Sequence, residues 1–158
     1  MTTNDSHAAQ SATNSVPRPC EGRDFTDLAA RMADAPPLIT SPNGDYTGTI
    51  VAVIGLHRLP RPFRIPLTRT LALLGRPLWR GKRFTADTGT NLWLTHRSFG
   101  TFVPGTPRAE AIPLDYDHPT NPRPLRRITG ELTQLGPAVY LGAMSIGRRR
   151  LMYFTLHR

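Results

Sequence analysis

The spacing of hydrophobic residues changes along the chain and predicts a short helix followed by strands. Apolar residues in 25–35 recur at helical spacing, and Asp24 or Thr26 suits the N-terminal cap. A turn signal, SPNGD, follows at 41–45. The run at 46–56 is apolar and β-branched, which predicts a strand that is buried on both faces or lines a cavity.

Most of the remaining chain is patterned as short strands. The predicted strands are 78–84, 91–103, 109–117, 138–146 and 149–157, the last two forming a hairpin. Residues 125–135 suit either a short helix or a strand. A helix is predicted over 65–74, because Phe63, Leu67, Leu71 and Leu74 lie on one helical face. Six or seven strands without βαβ alternation predict a mainly β fold. We expect a small antiparallel barrel or a strongly curved sheet with one or two short helices, because closure removes exposed sheet edges.

The composition of the N-terminus separates a tail from the domain. Residues 1–22 are rich in Ser, Thr, Asn and Ala and lack the pattern of a secretory signal, so we expect a disordered tail. Residues 23–158 then form a single barrel-like domain. The only cysteine is Cys20, and the five histidines are scattered, which argues against a disulfide, a metal site and a cofactor and favours the cytoplasm.

The charge is strongly positive and unevenly distributed. The formal net charge is +9, and no acidic residue occurs between Asp45 and Asp87. Nineteen of the 20 basic residues are arginine, and Lys82 is the only lysine. Such a field attracts anionic partners. The arginine bias is also typical of a GC-rich bacterial genome, which would make part of the charge compositional.

The only lysine lies in the element W-R-G-K-R-F. Alternation along a strand places Trp79, Gly81 and Arg83 on one face, and Arg80, Lys82 and Phe84 on the other. A lysine beside an apolar wall has a lowered pKa and suits a base or an anion anchor. The alternative is a solvated edge strand protected by its charges.

Asp115 and Glu131 also allow either a functional or a purely structural role. If the apolar residues of 109–117 face inward, Tyr116 enters the interior and Asp115 faces outward. The opposite register brings the carboxylate of Asp115 into a cavity, where it could act as a general acid or base. The simpler alternative is that this acidic side chain caps the following turn. We expect Glu131 either to lie at a barrel mouth or to form an ion pair with Arg126 or Arg127.

Short sequence elements along the chain resemble a poorly characterised group of small bacterial proteins. These elements are W-R-G-K-R-F (79–84), Asn91, L-D-Y-D (114–117), Pro137 with V-Y-L-G (139–142), and L-M-Y-F-T-L (151–156). The resemblance extends from about Gly48 to the C-terminus. It implies a lipocalin-like barrel and no settled activity.

The leading hypothesis is a barrel that encloses a small, largely apolar molecule. Such a barrel either carries its ligand or catalyses a cofactor-free cyclisation or isomerisation of a biosynthetic intermediate. The candidate catalytic residues are Lys82, Asp115, Tyr116 and Glu131. The candidate ligand-binding residues are Trp79, Asn91, Trp93, Tyr140 and Tyr153.

Two alternatives follow from the positive charge. Nucleic acid would bind the basic region and stack on Trp79, Phe84 and Trp93, although no RNA-binding or zinc motif is present. An anionic membrane surface would bind 57–77, where arginine alternates with leucine and phenylalanine. Neither alternative excludes a ligand-binding barrel, and the oligomeric state is open.

Overall fold

Eight antiparallel strands form a closed barrel in which each strand pairs with the next and the last pairs with the first. The computed structural model describes residues 20, 24–37, 41–55, 79–93, 98–108 and 111–158, with isolated positions between 60 and 70. The strands are β1 (Gly44–Val53), β2 (Trp79–Phe84), β3 (Gly89–Trp93), β4 (Ser98–Pro104), β5 (Ala111–Asp115), β6 (Ile128–Gly136), β7 (Val139–Ile146) and β8 (Arg149–His157). The predicted mainly β fold, a small antiparallel barrel, is confirmed.

Two segments differ from the predicted strands. Residues 91–103, predicted as one strand, contribute to both β3 and β4, which pair antiparallel with Asn91 opposite Phe99. The chain therefore reverses direction within this segment, which raises the count to eight strands. Residues 125–135 contain both predicted alternatives, a 3₁₀ turn at Leu125–Arg127 followed by most of β6. The hairpin of β7 and β8 is confirmed.

The predicted first helix, α1, spans Phe25–Ala33 and packs on the outside of the barrel. Asp24 caps it, since its carboxylate accepts from the backbone N–H groups of Thr26 at 2.9 Å and Asp27 at 3.1 Å. Its buried residues are Leu28 and Met32. They pack with wall residues that include Leu141, Ala143 and Tyr153.

Two predicted segments fall largely outside the described residues. Within the predicted helix at 65–74, positions 66, 67 and 70 are helical and the others are not described. Of the predicted tail at 1–22, only Cys20 is described, and it is buried in the cluster beneath α1.

The inner faces of the strands form an aromatic-rich core. Its buried members are Tyr46, Phe84, Phe102, Ile112, Leu114, Tyr116, Leu132, Tyr140, Phe154 and Leu156. On β5 the apolar residues face inward, as in the first of the two predicted registers, so Tyr116 is buried and Asp115 is exposed. The barrel core and the cluster beneath α1 occupy opposite sides of the same wall.

A bulge in β2 changes which side chains share a face. The register of β2 against β3 shifts between Trp79 and Gly81, and Gly81 has φ +140°. As a result Trp79 lies on the same side as Lys82, where its ring packs edge-on against Phe154 at 5.3 Å. The predicted placement of Trp79 opposite Lys82 is therefore wrong. Gly48 leaves room for this ring, because a Cβ there would overlap it.

Candidate functional site

The only lysine of the chain lies inside the barrel. Lys82 is fully buried in β2, where its Nζ donates to the side-chain oxygen of Asn91 at 2.7 Å. Its Nζ also contacts the hydroxyl of Tyr116. We call Lys82, Asn91 and Tyr116 the lysine cluster. Their strands, β2, β3 and the end of β5, meet here because the barrel is closed.

Aromatic rings surround the lysine nitrogen. The ring centroids lie 4.7 Å away for Phe102, 5.1 Å for Tyr116, 5.2 Å for Phe154 and 5.9 Å for Trp79. These distances permit cation–π attraction to a protonated amine, which compensates part of the free energy of desolvation. The same rings are suited to packing against an apolar molecule.

Asn91 is held in one orientation by its other contacts. Its Nδ2 donates to the backbone oxygen of Gly100 at 3.2 Å, and its Oδ1 accepts from the indole N–H of Trp79 at 3.2 Å. A side-chain amide has one acceptor and one donor end, so these partners fix the oxygen toward Lys82. Gly100 has φ +81°, and a Cβ there would lie 2.7 Å from this Nδ2.

The position of Tyr116 depends on a neighbouring turn. The amide nitrogen of Asn121 donates to the backbone oxygens of Tyr116 at 2.8 Å and Thr101 at 2.6 Å. Its oxygen accepts from the backbone N–H of Thr101 at 2.9 Å. Asn121 therefore ties the end of β5 to β4. Sequence reasoning missed this residue, whose signal in the sequence is the turn-forming Asn-Pro pair at 121–122.

Among the described residues, the lysine cluster has no neutralising charge. No carboxylate pairs with Lys82 among the residues that the structure describes. The ion pairs Arg83–Asp45 and Arg150–Glu131 lie toward solvent. Burial lowers the pKa of Lys82 to about 7. Burial also raises the pKa of the Tyr116 phenol. Near neutral pH the amine is therefore partly neutral, while the phenol keeps its proton.

The two acidic candidates lie away from the lysine cluster. Asp115 is exposed on the outer face, and its carboxylate accepts from the backbone N–H two residues on at 2.8 Å. Glu131 is exposed and pairs with Arg150 at 2.8 Å rather than with the expected Arg126 or Arg127. Arg126 instead donates to backbone oxygens in the preceding turn.

The remaining aromatic candidates divide between the two sides of the wall. Tyr140 is buried in the barrel core, edge-on to Tyr46 at 5.5 Å. Tyr153 lies beneath α1, with its ring 5.1 Å from that of Phe25. Trp93 is half-buried and pairs with Trp79 across β2 and β3. Of the candidate residues, the structure thus places Asn91, Tyr116 and Trp79 around the Nζ of Lys82. The rings of Phe102 and Phe154 also contribute, and sequence reasoning did not select them.

Two further observations bear on the charge-based alternatives. Phe84, one of the three rings considered for stacking on bases, is buried in the barrel core. The segment 57–77 lies mainly outside the described residues.

A separate recess lies on the outside of the barrel. Its volume is about 600 Å³, and its lining combines α1 residues such as Ala29 with wall residues such as Thr133 and Tyr153. An experiment on apolar ligands must distinguish this outer recess from the barrel interior.

The fold and the site together define a closed eight-stranded barrel with a single buried amine in an aromatic interior. Comparisons with protein-family models, curated proteins and solved structures found no match to this chain. Within the described residues, no helix has the length and apolar character needed to cross a bilayer. The same residues contain no group of three or more His, Cys, Asp or Glu side chains placed to hold a metal ion.

Proposed function

We propose that this protein binds a small, largely apolar molecule inside its barrel and that Lys82 holds an oxygen atom of that molecule. The observation that carries the proposal is the complete burial of the only lysine beside the neutral polar groups of Asn91 and Tyr116. Burying an amine without a counter-charge costs stability, whereas an apolar side chain of similar size would fill a core without that cost. A role in ligand binding explains why a buried amine is present despite its cost in stability.

The surroundings of Lys82 indicate the chemistry of the ligand. Rings of Trp79, Phe102 and Phe154 suit an apolar body through stacking and dispersion. The lysine nitrogen is a donor and suits a carboxylate, carbonyl or hydroxyl oxygen. A ligand of this class has one polar end directed at the lysine cluster and an otherwise apolar surface.

A cofactor-free cyclisation or isomerisation is a second candidate function, favoured by the lowered pKa of Lys82. A general base works best when its pKa lies near the working pH. Lys82 and Tyr116 would then move the protons, since Asp115 and Glu131 lie on the outer face. Ligand binding is the common requirement of both candidates and is tested first.

Thermal denaturation tests the binding proposal. Long-chain carboxylic acids, aldehydes, alcohols and alkanes are added to the wild-type protein and to Lys82→Met. We expect the oxygen-bearing compounds to raise the Tm of the wild type, and Lys82→Met to lose most of that rise. Two control variants are Glu131→Gln, which alters an outer ion pair, and Ala29→Trp, which places a large side chain in the outer recess.

The controls identify where the ligand binds. Equal Tm shifts in the wild type, Glu131→Gln and Ala29→Trp support binding in the barrel. A shift that survives in Lys82→Met but disappears in Ala29→Trp assigns binding to the outer recess and contradicts the proposal. Absence of any shift across the whole panel also contradicts it.

A further inference from the structure

The contacts of Lys82 distinguish it from a simple positive charge. A lysine paired with a carboxylate stays protonated, and a protonated amine has no electron pair with which to attack a carbon atom. In the part of the chain that the structure describes, the contacts of Nζ are instead the Asn91 oxygen, the Tyr116 hydroxyl and aromatic rings. These are the surroundings of an amine that can lose its proton while buried.

The geometry points to a covalent role for Lys82. We propose that its Nζ forms an imine with an aldehyde or ketone group of the bound molecule, with Tyr116 relaying protons. This inference rests on the proposed binding function and specifies the ligand as an apolar carbonyl compound. The same burial lowers the pKa of Lys82 to about 7, so about half of the amine is neutral at pH 7.

The reaction is balanced without another reactant. The neutral Nζ attacks the carbonyl carbon, a C–N bond forms, and the carbonyl oxygen becomes a hydroxyl as one proton leaves nitrogen. The C–O bond then breaks, the second nitrogen proton leaves with that oxygen, and one water molecule is released. The Tyr116 hydroxyl contacts Nζ and is placed to accept one proton while it donates its own.

The side chain at position 91 offers Lys82 a neutral oxygen acceptor, although an acidic side chain of nearly the same size would fit there. An aspartate there would pair with Lys82 and raise its pKa, which removes the neutral amine near pH 7. Asn91 accepts from Lys82 at 2.7 Å without adding a charge. Asn91→Asp is therefore a variant of nearly the same shape that tests protonation.

The unique lysine makes trapping of the imine unambiguous. The protein is incubated with decanal and sodium cyanoborohydride, which reduces an imine to a stable secondary amine, and the product is located by peptide mass spectrometry. Besides Lys82, the only other primary amine is the N-terminus. We expect stoichiometric labelling of Lys82 in the wild type and labelling confined to the N-terminus in Lys82→Met.

A pH series with Asn91→Asp distinguishes an imine from nonspecific labelling. A rise of about one pH unit in the pKa of Lys82 lowers the neutral fraction at pH 7 about fivefold. We expect labelling of Asn91→Asp to fall by at least about that factor at pH 7 and to recover near pH 9.5. If Asn91→Asp were labelled to the same extent as the wild type at both pH 7 and pH 9.5, the inference would be overturned.

Decanol separates this inference from the proposed function. If decanol and decanal raise the Tm of the wild type but not of Lys82→Met, and decanal leaves no label on Lys82, the binding function stands and the imine is refuted. If neither compound changes the Tm and no label forms, both fail. Labelling of the N-terminus alone refutes the imine.

Discussion

Replacement of Lys82 by methionine should change how stability depends on pH. The side chains are similar in length, and methionine has no charge to desolvate. The wild-type lysine has a folded-state pKa of about 7, compared with 10.5 for an exposed lysine. Because the folded pKa is lowered, the unfolded chain binds more protons between pH 7 and 10.5. The stability of the wild type therefore rises with pH across this window.

The size of the effect follows from the two pKa values. Each pH unit between them is worth about 1.4 kcal/mol, which gives a cost of about 4 to 5 kcal/mol for the charged amine at and below pH 7. Between pH 7 and pH 9 the wild type should gain about 2 kcal/mol relative to Lys82→Met. Loss of the contacts of Nζ with Asn91 and Tyr116 costs the variant about 2 to 4 kcal/mol in total. At pH 7 the variant should still be more stable by about 1 kcal/mol.

Urea denaturation of both proteins at intervals from pH 6.5 to 9.5 measures this difference, and titrations shared by the two proteins cancel. A protein labelled with ¹³C at lysine Cε gives one side-chain signal, which should titrate near pH 7. A stability difference that stays constant with pH, together with a titration midpoint near 10.5, would refute the reasoning.

Three further predictions concern the residues that shape the site, each measured by urea denaturation. Gly81→Ala should cost more than about 3 kcal/mol or prevent folding, because its φ is +140° and a Cβ would overlap the backbone of β1. Gly136→Ala is the control and should change stability by less than about 1 kcal/mol, since apart from its chain neighbours no described residue has an atom within 4 Å of its Cβ position. Asn121→Ala should cost about 2 to 4 kcal/mol by removing three hydrogen bonds to backbone groups, and a cost below about 1 kcal/mol would contradict its positioning role. Asp45→Asn should have only a small effect that disappears at high salt, because Asp45 and Arg83 are both about half exposed.

Much of the barrel was predictable because strand periodicity is a local property. The final hairpin and the inward face of β5 follow from alternation of apolar and polar residues, and the cap at Asp24 follows from side-chain chemistry. The eighth strand was missed because 91–103 stays strand-like in composition through the point where the chain reverses. Pattern alone did not locate that reversal.

The site itself was only partly predictable, because a bulge of a single residue moves a side chain from one face of a strand to the other. Alternation placed Trp79 away from Lys82, and the irregularity at Gly81 brings both to the same side. Nor does any local pattern specify that Phe102 and Phe154 approach the same nitrogen, since they lie on β4 and β8. These contacts depend on closure of the barrel, which joins strands distant in sequence.

The occurrence of lysine rather than arginine at position 82, in a chain rich in arginine, is the strongest sign that the function requires the amine to lose its proton. An arginine keeps its charge at any pH a protein encounters, whereas a buried lysine loses its proton when desolvation lowers its pKa. Lys82→Arg should therefore destabilise the protein by about 3 kcal/mol or more at pH 8, where the wild-type amine is mostly neutral. The deficit should widen toward pH 9.5, because only the wild type becomes more stable. Urea denaturation at both pH values measures it. If Lys82→Arg matched the wild type at both, position 82 would require only a positive charge, and the case for a neutral amine in the barrel would fail.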